Sequence, residues 1–332
     1  MKANDVARAL AARAEAVCRV YLPAGRRAGN YWQVGDVHGH PGQSLYVRLT
    51  GSRAGSWTDS ATGDYGDLLD LIAANRGLDF FGAMEEAHAF LSEPLPKTAP
   101  VRQSGERDTV ASARRLFAAA RPITGTLAER YLAGRGIVRS EPEPALRFHP
   151  RVWCRPTPDA PLEARPALIA AVTDGDGAIT GVHRTFLDPD TGGKAAMPKP
   201  RRALGRLLGN AVRFGDPGDA LIAGEGIESV LTLRMLFPGL SMVAALSAGH
   251  LGAFAPPPGL VRLYIALEPD PAGQAAFERL AERVGAVGIA VHPLLSHGTD
   301  PNADLMTFGP AVTAERFVRQ LAPADRDRVR AA

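Results

Sequence analysis

Apolar residues recur every three or four positions in the opening segment, at Val6, Leu10, Ala14, Val17 and Tyr21, a spacing that places one apolar stripe on one face of a helix. From Tyr31 to Asp67 the pattern shortens to alternating segments such as SLYVRL between glycine-rich turns, which predicts a small antiparallel sheet, followed by a helix over LLDLIAANRG. Residues 93–108, EPLPKTAPVRQSGERD, carry no apolar period and read as an exposed linker. Beyond it, two short helices are predicted on either side of Pro122, where the ring removes a backbone donor. Two strands then flank a Gly-Asp-Gly turn in ALIAAVTDGDGAITGVHRTFL. From Asp219 onward strands and helices alternate: ALIAG, a helix through SVLTLRMLF, SMVAALS, VRLYIAL, a helix from Pro271 to Val284, and VGIAVHPLL. Apolar strands alternating with helices predict an α/β domain built on a mainly parallel sheet covered on both faces.

Composition narrows the function. The 332 residues are 45% apolar and 22% charged, and the longest uninterrupted apolar stretch, Ala167 to Val172, is far short of the roughly 20 residues of a membrane-spanning helix. Asp5, Arg8, Arg13 and Glu15 break any leader-like apolar run at the N-terminus, so the expectation is a cytoplasmic chain with no membrane partner. Two cysteines, Cys18 and Cys154, supply neither a disulfide framework nor a four-ligand zinc site. A net charge of +3 permits phosphate contact without requiring it. The local excess is more informative: Lys194, Lys199, Arg201, Arg202, Arg206 and Arg213 follow one another with no intervening acid. Such a run can hold a nucleic-acid backbone or a nucleoside triphosphate, and it can equally be a solvated surface. Arg184, in GVHRTF, is a further candidate for phosphate contact or a cross-strand charge pair.

Acids fall directly after the strands of the last domain: Glu225 and Glu228 after ALIAG, Glu268 and Asp270 after LYIAL, Asp300 and Asp304 after VGIAVHPLL. Taken singly, each is an ordinary helix start. Taken together, they lie where the carboxyl ends of parallel strands form a crevice, and their oxygens suit a hard divalent cation held near phosphates. There is no GxxxxGK[ST] loop, no HExxH and no CxxC, so an ATPase motor, a zinc protease and a thiol redox site have no support.

The phrases GEGIES, IALEPDPAGQAA and HGTDPNADLM, in that order, resemble the motif series of the Toprim domain of bacterial and phage primases, topoisomerases and some nucleases. The resemblance implies a Toprim-type sheet over 216–322 with a tail at 323–332. Ahead of it, 109–215 resembles the helical lead-in and α+β primase-core subdomain of phage- and plasmid-type primases, proteins of replication and of mobile genetic elements. It further implies Glu225 as the catalytic and metal-linked glutamate, with Glu268, Asp270, Asp300 and Asp304 as ligands of magnesium or manganese. Glu268 departs from the family, which has aspartate there. Lys194, Lys199, Arg201, Arg202 and Arg184 are then expected on phosphates. The implied activity is nucleotidyl transfer: short primers made from ribonucleoside triphosphates on single-stranded DNA, beside a separate helicase. A catalytically weak DNA-binding accessory and a Toprim nuclease are the alternatives.

Residues 1–92 resemble the frame of the zinc ribbon that begins such primases, with His38 in a ligand place but without its cysteines, so no zinc is expected. Trp32, Tyr46 and Trp57, with Tyr31, are candidates for stacking bases of single-stranded DNA or for packing a small sheet. A remote rival is a serine hydrolase, because AALSAGH places Ser247 after a strand with Asp270 and His292 or His297 downstream.

Overall fold

The computed structural model describes residues 3–51, 53–92, 109–138, 143–157 and 160–330, in two compact units that divide between residues 106 and 107. The predicted linker over 93–108 lies outside the described residues.

In the first unit the opening stripe is shared by two helices, α1 (Ala3–Ala12) and α2 (Ala14–Tyr21), because Arg13 leaves helical geometry (φ −117°, ψ 23°). Its guanidinium donates to the Leu91 carbonyl at 2.9 Å. One residue out of register leaves the stripe aligned, and Val6, Leu10, Ala14, Val17 and Tyr21 are all buried. Five strands, β1 (Arg26–Ala28), β2 (Tyr31–Val34), β3 (Leu45–Arg48), β4 (Trp57–Asp59) and β5 (Tyr65–Gly66), pair antiparallel in sequence order. Then come α3 (Leu68–Arg76) and α4 (Phe80–Ser92). Asp67 and Asp70 form a reciprocal capping box at the start of α3, and Gly77 ends it in the left-handed conformation (φ 65°).

The inner face of this sheet corrects two stacking candidates. Trp32 and Trp57 are 3% and 5% exposed, sit in one core with Val47, Leu10 and Leu71, and donate their ring N–H groups to the carbonyls of Leu22 and Asp67 at 3.1 and 2.8 Å. Gly25 makes the Trp32 seat, since a Cβ there would fall 2.0 Å from the indole nitrogen. Both tryptophans are core residues and cannot reach a base. His38 lies in a turn organised by Asp36, whose carboxylate accepts the N–H groups of His38 and His40 and pairs with the His40 ring at 2.7 Å.

The second unit opens with α5 (Thr109–Ala119), β6 (Arg121–Pro122) and α6 (Leu127–Gly134), so the interruption at Pro122 is a short edge strand rather than a bare break. Next come β7 (Leu146–Cys154), β8 (Glu163–Thr173), β9 (Ile179–Phe186) and β10 (Arg201–Gly205), giving an antiparallel sheet of order β10-β9-β8-β7-β6. The β8–β9 turn is closed by Asp174, which accepts from the N–H of Ala178 at 2.9 Å, and by Gly177 at φ 80°.

A second sheet of this unit contains β11 (Val212–Phe214), β12 (Ala220–Gly224), β13 (Ser241–Ala244), β14 (Arg262–Leu267) and β15 (Ala290–Leu295). Its order is β11-β13-β12-β14-β15, with the last four parallel and β11 antiparallel at the edge. The helices are α7 (Ile227–Leu236), α8 (Ala248–Gly252), α9 (Pro271–Gly285), α10 (Pro301–Gln320, kinked at Gly309) and α11 (Pro323–Arg330). Ile222, Met242 and Tyr264 point into one core, Leu221, Val243 and Leu263 into another. Burial on both faces is why these strands read as continuous apolar runs. The first core continues into the antiparallel sheet through Phe148, Leu168 and Ala170, so the two sheets share one interior.

At the amino end of the parallel strands, Asp325 of α11 is fully buried. It receives the Nε and Nη2 donors of Arg262, at 2.7 and 2.9 Å, and the Tyr264 hydroxyl at 2.7 Å. Arg262 also reaches Asp219 at 3.2 Å, and Arg328 pairs with the same aspartate. Burial pushes the Asp325 carboxyl up, but the hydrogen bonds and charge of Arg262 and Tyr264 hold it below the ordinary value. No described helix is long and apolar enough to cross a membrane.

Candidate active site

β12 and β14 are adjacent and parallel, with Gly224 opposite Ala266, so the residues just beyond each strand leave the sheet side by side. Glu225 succeeds β12 directly, and Gly224 before it sits in a tight place, since a Cβ there would press on the Val230 side chain at 3.0 Å and lie 3.4 Å from that of Ala266. The Glu225 carboxylate accepts the Ala248 N–H at the start of α8. Glu268 succeeds β14, and Asp270 caps α9 by accepting the Gly273 N–H at 2.6 Å, with Pro271 at the first helical position. Gly273 lets the helix start press on Glu268, because a Cβ would lie 2.5 Å from the Glu268 carbonyl oxygen. Asp300 repeats the device on α10, accepting from Ala303 at 2.8 Å ahead of Pro301.

The four acids share one electrostatic field. Burial first, then the charges of Glu268 and Asp270, push the Glu225 carboxyl up to about 7. Burial and the charges of Asp300 and Asp270 also raise Glu268, against the pull of Arg201. Carboxylates that raise one another's pKa at the end of a parallel sheet would be stabilised by added positive charge. Among the described residues no three His, Cys, Asp or Glu side chains stand close enough to enclose an ion. The donors that are present, all carboxylate oxygens, suit a hard cation held by one or two carboxylates together with waters and substrate phosphates.

Asp304 requires a correction. It is fully buried, and its two oxygens accept the N–H groups of His297 and Gly298 at 2.8 and 2.7 Å. It shapes the loop that carries Asp300, with its oxygens taken up by the backbone.

The cations divide between the two faces of β9 and β10. Lys194 lies 3.0 Å from Glu228, and Arg201 acts electrostatically on both Glu268 and Tyr131. Arg184 and Arg202 are register partners that alternate with His183, Thr185 and Arg201 and so point to the opposite side, where both lie over Phe186. Arg184 donates to the Ala203 carbonyl and Arg202 to those of Lys199 and Pro156. Strand alternation thus separates these two from the carboxylates, and the expected phosphate set is not a single patch; the Lys199 side chain is exposed.

Residue order in the chain did not reveal the buried group beside Lys194. Glu228 is 7% exposed and takes the Tyr131 hydroxyl of α6 as well as Lys194. Burial pushes its carboxyl up, but Lys194 and Tyr131 outweigh that and hold it well below the ordinary range. A cavity of about 540 Å³ opens against this group, lined by Arg130, Tyr131, Arg135, Thr191, Gly192 and Lys194. Arg135 is fixed from beneath: its carbonyl accepts from Asn302 at 2.8 Å, and Asn302 also donates to Thr232 at 3.0 Å. Tyr131 and Arg135 lie in RYLAGRG, which offered only helical spacing; their partners are far away in sequence.

Ser247 caps α8, its hydroxyl accepting the His250 N–H at 3.3 Å, after Leu246 at φ 80°. His292 stacks on Tyr264 and His297 pairs with Arg316, so no hydrogen bond among the described residues joins Ser247 to either. The hydrolase arrangement is not assembled.

Residues 220–311 match the Toprim domain family, and this decides the identity of the parallel sheet with its acidic ends. Residues 220–311 are a Toprim domain. Residues 107–214, which precede the Toprim domain, match a domain of unknown function (DUF7146). No curated protein matches the chain. Among solved structures, it aligns with the zinc-binding and RNA polymerase domains of the Aquifex aeolicus primase at 16% identity, over 94% of this chain and 84% of that one, with a TM-score of 0.44. A DNA primase domain from Pseudomonas aeruginosa aligns at 16% identity over 64% of this chain and 78% of that one, with a TM-score of 0.43. The primase fragment of the bacteriophage T7 primase-helicase aligns at 15% identity, over 85% and 96%, with a TM-score of 0.37.

Proposed function

We propose that the chain is a primase-type nucleotidyltransferase that joins ribonucleotides on a single-stranded DNA template. The observation that supports this reading is that Glu225, Glu268, Asp270 and Asp300 succeed neighbouring parallel strands and act on one another electrostatically, with Arg201 acting on both Glu268 and Tyr131 and Lys194 paired with Glu228.

In this reading one or two of the carboxylates of Glu268, Asp270 and Asp300, together with waters and substrate phosphates, would hold magnesium or manganese, and the bound ion would neutralise the charge that develops on the triphosphate. Glu225, with its carboxyl near 7, is poised to take the proton from the attacking hydroxyl at neutral pH. That oxygen forms a bond to the α-phosphorus while the bond to pyrophosphate breaks, and the leaving charge meets Lys194, Arg135 and Arg201. Lys194 has three N–H donors; Glu228 takes one, which fixes the side chain and leaves two for phosphate oxygens. Arg135 presents its fork from a backbone held by Asn302.

The test is incubation of the purified protein with single-stranded DNA, labelled ribonucleotides and magnesium or manganese, beside Glu225→Gln and Asp270→Asn. Short products from the wild type, reduced at least a hundredfold in both variants, support the reading, since either change removes a charge from the site while Asn retains the helix cap. Cleavage of the template without synthesis would assign the same carboxylates to a nuclease. Bound DNA with neither product would make the chain a replication accessory, an outcome that the longer Glu268 side chain would then explain.

A further inference from the structure

Positive φ is left to glycine at every described position except one. Leu246, at φ 80°, stands just beyond β13, where the chain leaves the sheet beside Glu225. In the left-handed region a Cβ crowds the following carbonyl oxygen, a cost that glycine would not carry. Leucine supplies what glycine lacks, a side chain: it is half-buried and packs against the core that the two sheets of this unit share.

The turn joins two sets of contacts on Glu225. Ahead of it the parallel ladder runs past the ends of β12 and β13, with the Ala245 N–H donating to the Gly224 carbonyl and the Leu246 N–H to the Glu225 carbonyl, both at 2.8 Å. An extended residue at 246 would carry the chain straight on beyond the sheet. The left-handed turn instead brings Ser247 back as the cap of α8 and sets the Ala248 N–H on the Glu225 carboxylate. The far end of α8 is fixed as well, since Leu251 and Gly252 are buried and Arg283 of α9 donates to the Gly252 carbonyl at 3.2 Å. One loop therefore meets Glu225 at its backbone and at its side chain, and is tied down on both sides of that contact.

We propose that Leu246 is a positioning residue for Glu225: its strained turn, anchored in the shared core, holds the 245–248 loop on that glutamate and fixes where the carboxylate stands. Backbone strain of this kind persists only where the surroundings over-determine it, and the ladder, the anchor and the α8 cap do so here. The catalytic consequence rests on the reading of Glu225 as the proton acceptor; the structural one does not.

The test uses the full chain labelled with carbonyl carbon-13 serine and nitrogen-15 alanine, so that NMR shows only Ser–Ala amides, which the sequence holds at 60–61, 112–113 and 247–248. Glu225→Gln should move the Ala248 signal, because it replaces a charged acceptor by a neutral one. Leu246→Gly should move it in the same direction, whereas Leu246→Met, which keeps an apolar anchor, should restore the wild-type position. In primer synthesis the glycine variant should lose about tenfold in kcat with KM for ribonucleotides within about twofold of wild type. Leu246→Ala, which lacks the anchor but keeps a Cβ, should melt below Leu246→Gly, the reverse of the usual order of these two residues. An Ala248 signal that ignores Glu225→Gln would overturn the role, as would one that Leu246→Gly leaves in place, or an alanine variant that melts above the glycine variant. Should Leu246→Gly fail to fold, the wild-type, Glu225→Gln and Leu246→Met spectra decide. A chain that makes no primers still gives the amide and melting readings, so absent synthesis counts against the reading of the carboxylates and not against the turn.

Discussion

At the amino end of the Toprim sheet carboxylates meet guanidinium groups; at the carboxyl end they meet one another. Asp219 and Asp325 are held below their ordinary pKa by Arg328, Arg262 and Tyr264, whereas Glu225 and Glu268 are pushed above theirs by burial and by neighbouring acids. The same four parallel strands carry both ends, so the difference does not come from the strands. It lies in the segments attached to them: a C-terminal helix that returns a compensated acid to one end, and helix-capping loops that gather uncompensated acids at the other. One end is built for cohesion, and the other gathers like charges, which makes its acids hold their protons more tightly.

The largest expected effect breaks the cohesive end. Asp325→Ala leaves the buried Tyr264 hydroxyl without its acceptor and the Arg262 guanidinium with Asp219 alone, and should lower unfolding stability by about 3 kcal/mol, read from denaturant midpoints. A loss below about 1 kcal/mol would show that the pair is no more than a surface contact.

The two ends should also respond to pH with opposite sign. The Glu225 carboxyl sits near 7 when folded, above its ordinary 4.5, so across that window the native state holds the extra proton and stability falls as pH rises. Asp219 and Asp325, with lowered pKa values, contribute stability above the ordinary aspartate range that is lost as pH falls through it. Melting temperature should therefore decline from pH 5 to pH 8 in wild type and less so in Glu225→Gln, with added magnesium recovering the wild-type loss at the alkaline end. An identical decline in both proteins would remove Glu225 as its source.

The smallest effect sharpens the contrast between the ends. Tyr131→Phe removes one donor from Glu228 but leaves Lys194 in place, and should cost about 1 kcal/mol or slightly more in thermal unfolding. A cost as large as that of Asp325→Ala would mean that Glu228 belongs to the cohesive architecture rather than to the cavity wall.

The parallel sheet was legible because strands buried on both faces read as unbroken apolar runs, and the acids after them stand where such strands end. Asp270 and Asp300 were visible twice, as acids after strands and as Asp-Pro helix starts. The errors came where neighbouring residues face opposite ways. Trp32 and Tyr31 are adjacent, and nothing in their spacing tells which side of a short strand meets the helices. Arg201 and Arg202 divide between two faces for the same reason. Asp304 looked like a third-strand acid until its burial under the His297–Gly298 backbone was seen, and Tyr131 finds Glu228 only through a fold that brings α6 onto α7.

β11 gives the Toprim sheet its outer strand, yet Val212–Phe214 belongs to the region that matches the preceding domain of unknown function. A gene fragment cut just before residue 220 would therefore expose β13 as a bare, wholly buried-type strand with its backbone groups unpaired. Truncation at that seam should yield a fragment prone to self-association, whereas a cut ahead of β11 leaves the sheet edge covered.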